Sequence, residues 1–506
     1  MSKLLCSTIV LVFCLQASVI GQQFYFNENC QKAYQSCVSF RFDECNKILE
    51  QEKIQHKDNL IPVLIADIED ASKIFISEEK SMYDKLKVNK KIRESILEKG
   101  NKKSPWYLYS LAELNLHWAA TRLKFEEYIT AAIEVNRAYG MLKENEKLFP
   151  KFAPTHKSLG LMRAMVGTLP DQYQWLLKFI GVSGNFNEGV NEMKRFVTAT
   201  ENDSSLHCFS TEILLFSGIV EANFSNNPDN AVLFLDKLDK MAKLNPLLAY
   251  SYISIAQKTG QSNRIFSKIN LNEFDKSYFQ FYYLNLLYGE AKLCRGDLDA
   301  DVQIKKFLTN FKGTNYIKNA NQRLWWHSII HDNNSDAKLF FEAINGYGSI
   351  VVDEDKFALD TYHKNQWPNK QLLKSRLLFD GGYYTRALQC IVDLDLNSLV
   401  RQDERVEFMY RLGRIHQRMD NNLQAIKSFE NAIKFGAKLP EYYAASACYE
   451  LGKIYETQKM YNLSLTYFEK SKTYKNHSYR TSLNQKAKAA INRVEAKMKS
   501  DSKLRS

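Results

Sequence analysis

His327 and His331 in the stretch WWHSIIH stand one helical turn apart, with Asp332 beside the second, a spacing that could aim two imidazoles at one metal ion. A hydrolytic HExxH site also needs a glutamate after its first histidine to serve as general base, and Ser328 stands there instead. Structural or surface histidines are therefore expected, with no metal and no cofactor. Asp353, Glu354 and Asp355 supply adjacent carboxylates, but glycosidic-bond hydrolysis needs two that oppose each other across a cleft, so the run reads as a solvated loop. No Gly-x-Ser-x-Gly elbow occurs, and the remaining histidines lack Ser or Cys partners in any nucleophile motif. Catalysis is not expected of this chain.

IGVSGNFNEGV, Ile180 to Val190, carries three of the chain's 20 glycines. Its spacing is G-x-x-G-x-x-x-x-G, which is not the GxGxxG of a dinucleotide loop, and Val190-Asn191 follow where a P-loop needs Lys-Ser/Thr. Overlaid on Gly382-Tyr383-Tyr384-Thr385-Arg386-Ala387, the run Gly184-Asn185-Phe186-Asn187-Glu188-Gly189 shares a turn glycine, an aromatic two residues on, and a closing small residue. It reads as an inter-helix turn, with Gly184 supplying a permissive backbone and Gly189 allowing close helix contact.

Such turns imply helices on either side. With only nine prolines and 20 glycines in 506 residues, and apolar residues recurring at three- and four-residue spacing, the chain reads as all-α. The pairing is plainest in FMYRLGRIHQRMDNNLQAIKSFENAI from Phe408 and CYELGKIYETQKMYNLSLTYFEKS from Cys448. Aligned on Leu412-Gly413 and Leu451-Gly452, the two share small residues at Ala425 and Ser464, aromatics at Phe429 and Phe468, and small residues again at Ala432 and Ser471. These spacings match the tetratricopeptide pattern, at a period of 39 whose extra residues fall near Lys438-Leu439-Pro440. A third unit is LLKSRLLFDGGYYTRALQCI, Leu372 to Ile391, and weaker copies lie around Ala337–Phe341, Gly289–Leu298 and Cys30–Leu49. Stacked pairs of this kind predict a right-handed α-solenoid closed by a basic capping helix over Asn484 to Lys499.

In such a unit the first helix lines a concave groove. The groove-facing position after Leu-Gly is Arg414 in one repeat and Lys453 in the next, with Arg376 at the corresponding place upstream; Tyr410, Tyr449 and Leu372 stand four residues earlier on the same face. A ladder of cations and tyrosines would suit a peptide bearing carboxylates or a free C-terminus. Long cations at exposed helix positions are also common, and the aromatics of Tyr107-Leu108-Tyr109 and FQFYYLNLLY (Phe279 to Tyr288) have the helical spacing of core residues.

SLGLMRAMVGTLPDQYQWLLKFIGVSGNFNEGVNEM, Ser158 to Met193, resembles the signature segment of the family that groups animal tetratricopeptide repeat protein 39 with a fungal mitochondrial outer-membrane protein of inclusion-body clearance. Leu169-Pro170, Gly181-Val182-Ser183-Gly184 and Gly189 match its pattern, with Val182 in place of an aromatic. Upstream, LAELNLHWAATRLKFEEYITAAIEVNRAYGML is similar to the family's acidic-Leu helix and the Arg-x-x-Tyr element after it, carried by Arg137 and Tyr139 with one residue fewer between them. The likeness covers about Ser110 to Val197. It implies an all-helical scaffold that binds other proteins and brings no catalytic residues.

The chain departs from that family at its start. After Met1-Ser2-Lys3, an uncharged apolar run from Leu4 to Ile20 leads to Val19 and Gly21 at the −3 and −1 positions of a signal-peptidase site, predicting cleavage before Gln22. The run is short for a membrane span, and the leader resembles that of a bacterial envelope protein. Export disfavours nucleic acid as the target of the net charge of +12, which is spread along helix faces rather than concentrated. Loss of the leader leaves seven of nine cysteines; Cys37 and Cys45 could bridge or simply pack as small apolar residues.

The sequence thus predicts an exported, periplasmic or secreted, non-enzymatic scaffold with a groove for a partner protein or peptide. The groove residues are Arg376, Tyr410, Arg414, Tyr449 and Lys453. The alternative is a glycan-binding or nutrient-uptake component of the cell envelope. The expected organisation is a signal peptide (1–21), an N-terminal helical region with the family-like segment (22–200), degenerate repeats (201–365), and C-terminal tetratricopeptide repeats with the capping helix (366–506).

Overall fold

The computed structural model describes residues 22–166, 186–224, 228–477 and 479–505. The leader at 1–21 and the turn glycine Gly184, with Leu169-Pro170, lie outside them. The described chain is an all-α stack of helix pairs. Glu28–Val38 folds against Phe42–Gln55, Pro105–Lys124 against Tyr128–Leu148, Ala153–Val166 against Phe186–Asn202, and Tyr283–Arg295 against Ala300–Asn310. Further along, Ile317–Ile330 pairs with Asn334–Ile344, Lys370–Asp380 with Tyr384–Gln389, Gln402–Arg418 with Asn422–Gly436, and Tyr443–Thr457 with Tyr461–Thr473. The weaker copies at Cys30–Leu49, Gly289–Leu298 and Ala337–Phe341 each fall within such a pair. Among the described residues no helix is long and apolar enough to cross a membrane.

Two local devices recur. The turn between paired helices holds one residue in the left-handed region: Phe40, Glu126, Gly296, Asp332, Gly382, Asp420 and Lys459 all have φ between 58° and 89°. That conformation reverses the chain within a few residues, and glycine adopts it at no steric cost while other residues do not. The second device closes the pair. A Cβ on Gly413 would lie 2.6 Å from the Phe429 ring, and one on Gly452 the same distance from Phe468. The small partners Ala425, Ala432, Ser464 and Ser471 are fully buried with those rings, and Ser464 Oγ donates to the Gly452 carbonyl at 2.8 Å. Gly189 plays the same part earlier: a Cβ there would collide with the Ala164 amide nitrogen and stand 2.6 Å from the Gly160 carbonyl oxygen.

Turns that are distant in sequence also meet. Gly382 lies so close to Gly260 that an added Cβ would sit 2.6 Å from the Gly260 Cα, and Tyr383 Oη donates to Asn263 Oδ1 at 2.9 Å across 120 residues. An apolar cluster runs from Phe24 to Ala291, and separate clusters fill the later pairs. The last helix, Arg480–Arg505, closes the stack by burying Ala487, Ala490, Ile491 and Val494, three of them against Phe468.

The N-terminal third is held differently, around buried charges. Asp67 accepts from Trp118 Nε1 at 2.8 Å and Arg93 Nη1 at 3.2 Å, and pairs with His117 Nδ1 at 3.0 Å. Lys157 Nζ lies 3.2 Å from Glu113 and 2.8 Å from Glu212, while Ser158 Oγ donates to Glu113 and Tyr34 Oη to Glu212, both at 2.5 Å. Burial alone would lower the His117 pKa, but the Asp67 and Glu113 carboxylates outweigh it and raise the value. Cys37 and Cys45 are fully buried beside each other as free thiols, and burial followed by the contact with Cys45 pushes the Cys37 thiol well up.

Asp353-Glu354-Asp355 is not a solvated loop. The run is the first turn of helix Asp353–Lys364, and Asp355 is fully buried. Its carboxylate accepts from the Tyr316 amide at 2.6 Å and the Asn319 amide at 2.8 Å, satisfying amides at the start of helix Ile317–Ile330 that have no partner within their own helix. Burial outweighs these bonds and raises the carboxyl to about 6.

Candidate interaction face

Arg376, Tyr410, Arg414, Tyr449 and Lys453 lie on the first helices of three successive pairs. Tyr410 is buried against Tyr442 and Tyr443, with ring centroids 5.9 and 5.6 Å away, and its hydroxyl accepts from Arg414 Nη1 at 2.8 Å. The Arg414 guanidinium stands 4.8 Å over the Phe379 ring, and its Nε is 3.8 Å from Glu450 Oε1. Lys453 Nζ donates to the other oxygen of the same carboxylate at 2.8 Å and hangs 5.9 Å from the Tyr449 ring, which itself packs on Phe468. Glu450 therefore joins cations from two consecutive repeats. Burial opposes its ionisation, but Lys453 and Arg414 prevail and hold the carboxyl at about 2.

Arg376 sits apart from that pair. Its guanidinium lies 4.6 Å over Trp326 and 5.3 Å from the Phe357 ring, and its nearest carboxylate in an ion pair is Asp380 at 3.8 Å. Between the two cation positions runs a chain of aromatic contacts: Tyr479 meets Phe357 at 5.3 Å and Tyr442 at 5.0 Å, and Tyr442 meets Tyr443 at 4.6 Å. Arg411, buried one residue after Tyr410, donates to Glu407 at 2.6 and 3.0 Å.

The sequence pattern thus identifies the cations but misses what answers them. Glu407 precedes Arg411 by four residues and Glu450 precedes Lys453 by three, spacings that mark same-face helix pairs and were readable. Tyr442-Tyr443 was visible as an aromatic pair ahead of a helix. Trp326, Phe357 and Tyr479 carry no local signal, since their partners lie far along the chain.

His327 and His331 lie with ring centroids 4.5 Å apart and planes tilted by 55°, and His327 Nε2 is 3.0 Å from the Leu298 carbonyl oxygen. Asp332 turns away to Lys370 at 2.5 Å. Among the described residues no group of three or more His, Cys, Asp or Glu could hold a metal ion. Tyr109 is buried, and Phe279 and Phe281 pack on Phe42 and Phe40, as core residues do.

The family model of the tetratricopeptide repeat matches residues 406–435 and 445–477, the two units that carry Arg414, Glu450 and Lys453. No curated protein matches the chain.

Proposed function

We propose, starting from the tetratricopeptide repeats at 406–435 and 445–477, that the chain is a non-enzymatic scaffold that binds a partner protein or peptide in the groove lined by its first helices. Stacked helix pairs generate extended binding surfaces of this kind. The contact residues are Arg376, Arg414, Tyr449 and Lys453, and the partner presents carboxylates or a free C-terminus; Tyr410, expected in the groove from its register, is buried by Tyr442 and Tyr443 and instead positions Arg414 through its hydroxyl. The observation that carries the reading is the shared carboxylate of Glu450, which Arg414 approaches to 3.8 Å and Lys453 to 2.8 Å: two repeats already converge on one acid, the geometry a partner's acid would also need. Over Ser110–Val197 the scaffold is proposed to be related to the tetratricopeptide repeat protein 39 family, on the sequence likeness alone. It works in the periplasm or outside the cell once the leader is removed.

Fluorescence anisotropy with labelled peptides, acidic and neutral, each with a free or an amidated C-terminus, tests this. Acidic peptides with free C-termini are expected to bind, and the Arg414→Glu/Lys453→Glu variant to lose about tenfold or more in affinity, some 1.4 kcal/mol. Binding that ignores peptide charge or survives the substitution overturns the reading.

A further inference from the structure

One stretch departs from the even spread of charge along the chain. Residues 80–103 carry nine basic side chains against three acidic ones. They build helices Lys80–Leu86 and Val88–Leu97, which run on through Lys87 in helical backbone conformation, its amide donating to the Tyr83 carbonyl at 2.9 Å. One side of this rod is fixed to the protein. Arg93 donates to Asp67 at 3.2 Å and to Asp70 at 2.7 Å, Asn89 donates to Asp70 at 2.8 Å, and the buried Lys90 lies 3.1 Å from Glu134. At about 3.6 residues per turn the opposite side presents Lys85, Val88, Lys91, Ile92 and Ser95, and all five are exposed. Val88 and Ile92, one turn apart, are 56% and 54% exposed. Lys99 stands exposed one turn past Ser95, and Lys102 and Lys103 follow, also exposed, ahead of helix Pro105–Lys124.

The exposed lysines are unanswered. Asp84 is taken by Lys80 and Lys87, and Glu94 by Arg137. Glu98 is thus the one acid of the three left to face Lys85, Lys91, Lys99, Lys102 and Lys103, none of which makes an ion pair among the described residues. We propose that this face docks on a bilayer rich in anionic phospholipid, with Val88 and Ile92 entering the headgroup layer and the lysines meeting phosphates around them. The layout of the charge selects that occupant. Lys85 to Lys99 span about 20 Å along a convex rod, so a plane of phosphates meets all of these cations at once. An acidic peptide lying on the same ridge would reach the lysines of one flank and leave the two apolar side chains in water. Lysine stems bend aside and keep their ammonium groups at headgroup level while the apolar crest goes deeper. Because Arg93, Asn89 and Lys90 already hold the helix in place, adsorption costs no folding entropy. The face shares no residue with the groove of the C-terminal repeats and does not depend on a partner docking there.

Co-sedimentation of the chain with vesicles tests this, using phosphatidylcholine alone and phosphatidylcholine mixed with an equal part of phosphatidylglycerol. The chain is expected to partition onto the anionic vesicles, to ignore the neutral ones, and to come off as salt rises. Lys85→Gln/Lys91→Gln/Lys99→Gln should weaken partitioning about tenfold or more, and the same three changes to Arg should retain it. Val88→Ser/Ile92→Ser should weaken it several-fold while leaving the salt dependence in place, and Ile92→Trp should shift its emission to the blue on anionic vesicles. Lys438→Gln/Lys475→Gln, exposed in the C-terminal repeats, should change nothing. Circular dichroism melting of each variant separates a lost surface from a lost fold. The proposal is overturned if the chain stays in solution beside anionic vesicles, sediments equally with neutral ones, or partitions unchanged in the triple Gln variant. It is overturned as well if vesicles do not bind but soluble poly-glutamate does and the triple Gln variant abolishes that, since the occupant is then an acidic protein.

Discussion

The two ends of the molecule solve the same packing problem with different chemistry. Around Gly413 and Gly452 the helix pairs close by fitting an aromatic ring against a bare backbone, with Ala425, Ala432, Ser464 and Ser471 buried beside the rings, and the buried Arg411 and Glu450 find their partners within four residues on their own helices. Around Asp67, Glu113 and Lys157 they close over ion pairs, with Lys157 only 3% exposed between two glutamates. The first solution is modular, because each contact lies within one repeat and can be copied. The second is specific to its place: Lys157 reaches Glu113 across 44 residues and Glu212 across 55, and Tyr34 reaches Glu212 across 178. A buried ion pair contributes little net stability compared with an apolar replacement, but losing one member is severe. The N-terminal third should accordingly be the more brittle to single changes.

Lys157→Ala tests this most directly. It leaves the buried Glu113 and the half-buried Glu212 without this cation, and urea unfolding should show a loss of about 3–5 kcal/mol. The triple variant Lys157→Met/Glu113→Gln/Glu212→Gln should recover most of that, because no charge is then left alone. If Lys157→Ala costs less than a single glycine substitution in the C-terminal repeats, the contrast between the two regions is wrong.

Asp355 carries the charged style of packing beyond the N-terminal third. Its carboxyl, ordinarily at 3.8, is raised to about 6, so the folded chain holds this proton more tightly than the unfolded one. Its contribution to stability is therefore fully present below pH 3.8 and is lost as pH rises through about 6, an effect of roughly 2–3 kcal/mol. The difference in unfolding free energy between the parent and Asp355→Asn, measured from pH 3.5 to 7, should trace that slope. A flat difference removes Asp355 from the comparison.

On the modular side, Gly452→Ala places a methyl against the Phe468 ring and should cost about 1–3 kcal/mol by overpacking. Gly452→Ala/Phe468→Leu should cost less than the sum of the two single changes, and a double-mutant cycle would measure that coupling. The smallest expected effect is a gain. Lys459, exposed with φ at 60°, occupies the turn position that Gly382 fills elsewhere, so Lys459→Gly should raise stability by up to about 1 kcal/mol in a thermal melt. A loss there would mean the Lys459 side chain stabilises the turn.

The same contrast explains what could be read in advance. Ala425, Phe429, Ser464 and Phe468 were legible because their partners sit at fixed short offsets, which makes the pattern periodic. The charge network was not, since no local rule links Tyr34 to Glu212. Asp355 was misread for a related reason: adjacent acids usually mark solvent, and only the neighbouring helix start, 36 residues away from it at Asn319, turns one of them inward. At the candidate face the cations followed from the repeat register, whereas Tyr479 could be found only once the chain after the last matched repeat had folded back beside Phe357.

The meeting of Gly260 with Gly382 has a mechanical side. A stack of helix pairs linked only to its neighbours behaves as a spring, with each interface yielding a little under tension. Where two turns touch backbone to backbone and Tyr383 ties across to Asn263, a pull between the two halves passes through that junction, and the 120 residues between its ends are spared the load. The molecule should therefore stretch in two compliant segments on either side of a stiff middle. Widening that contact, as any side chain at position 382 would do, should soften the whole.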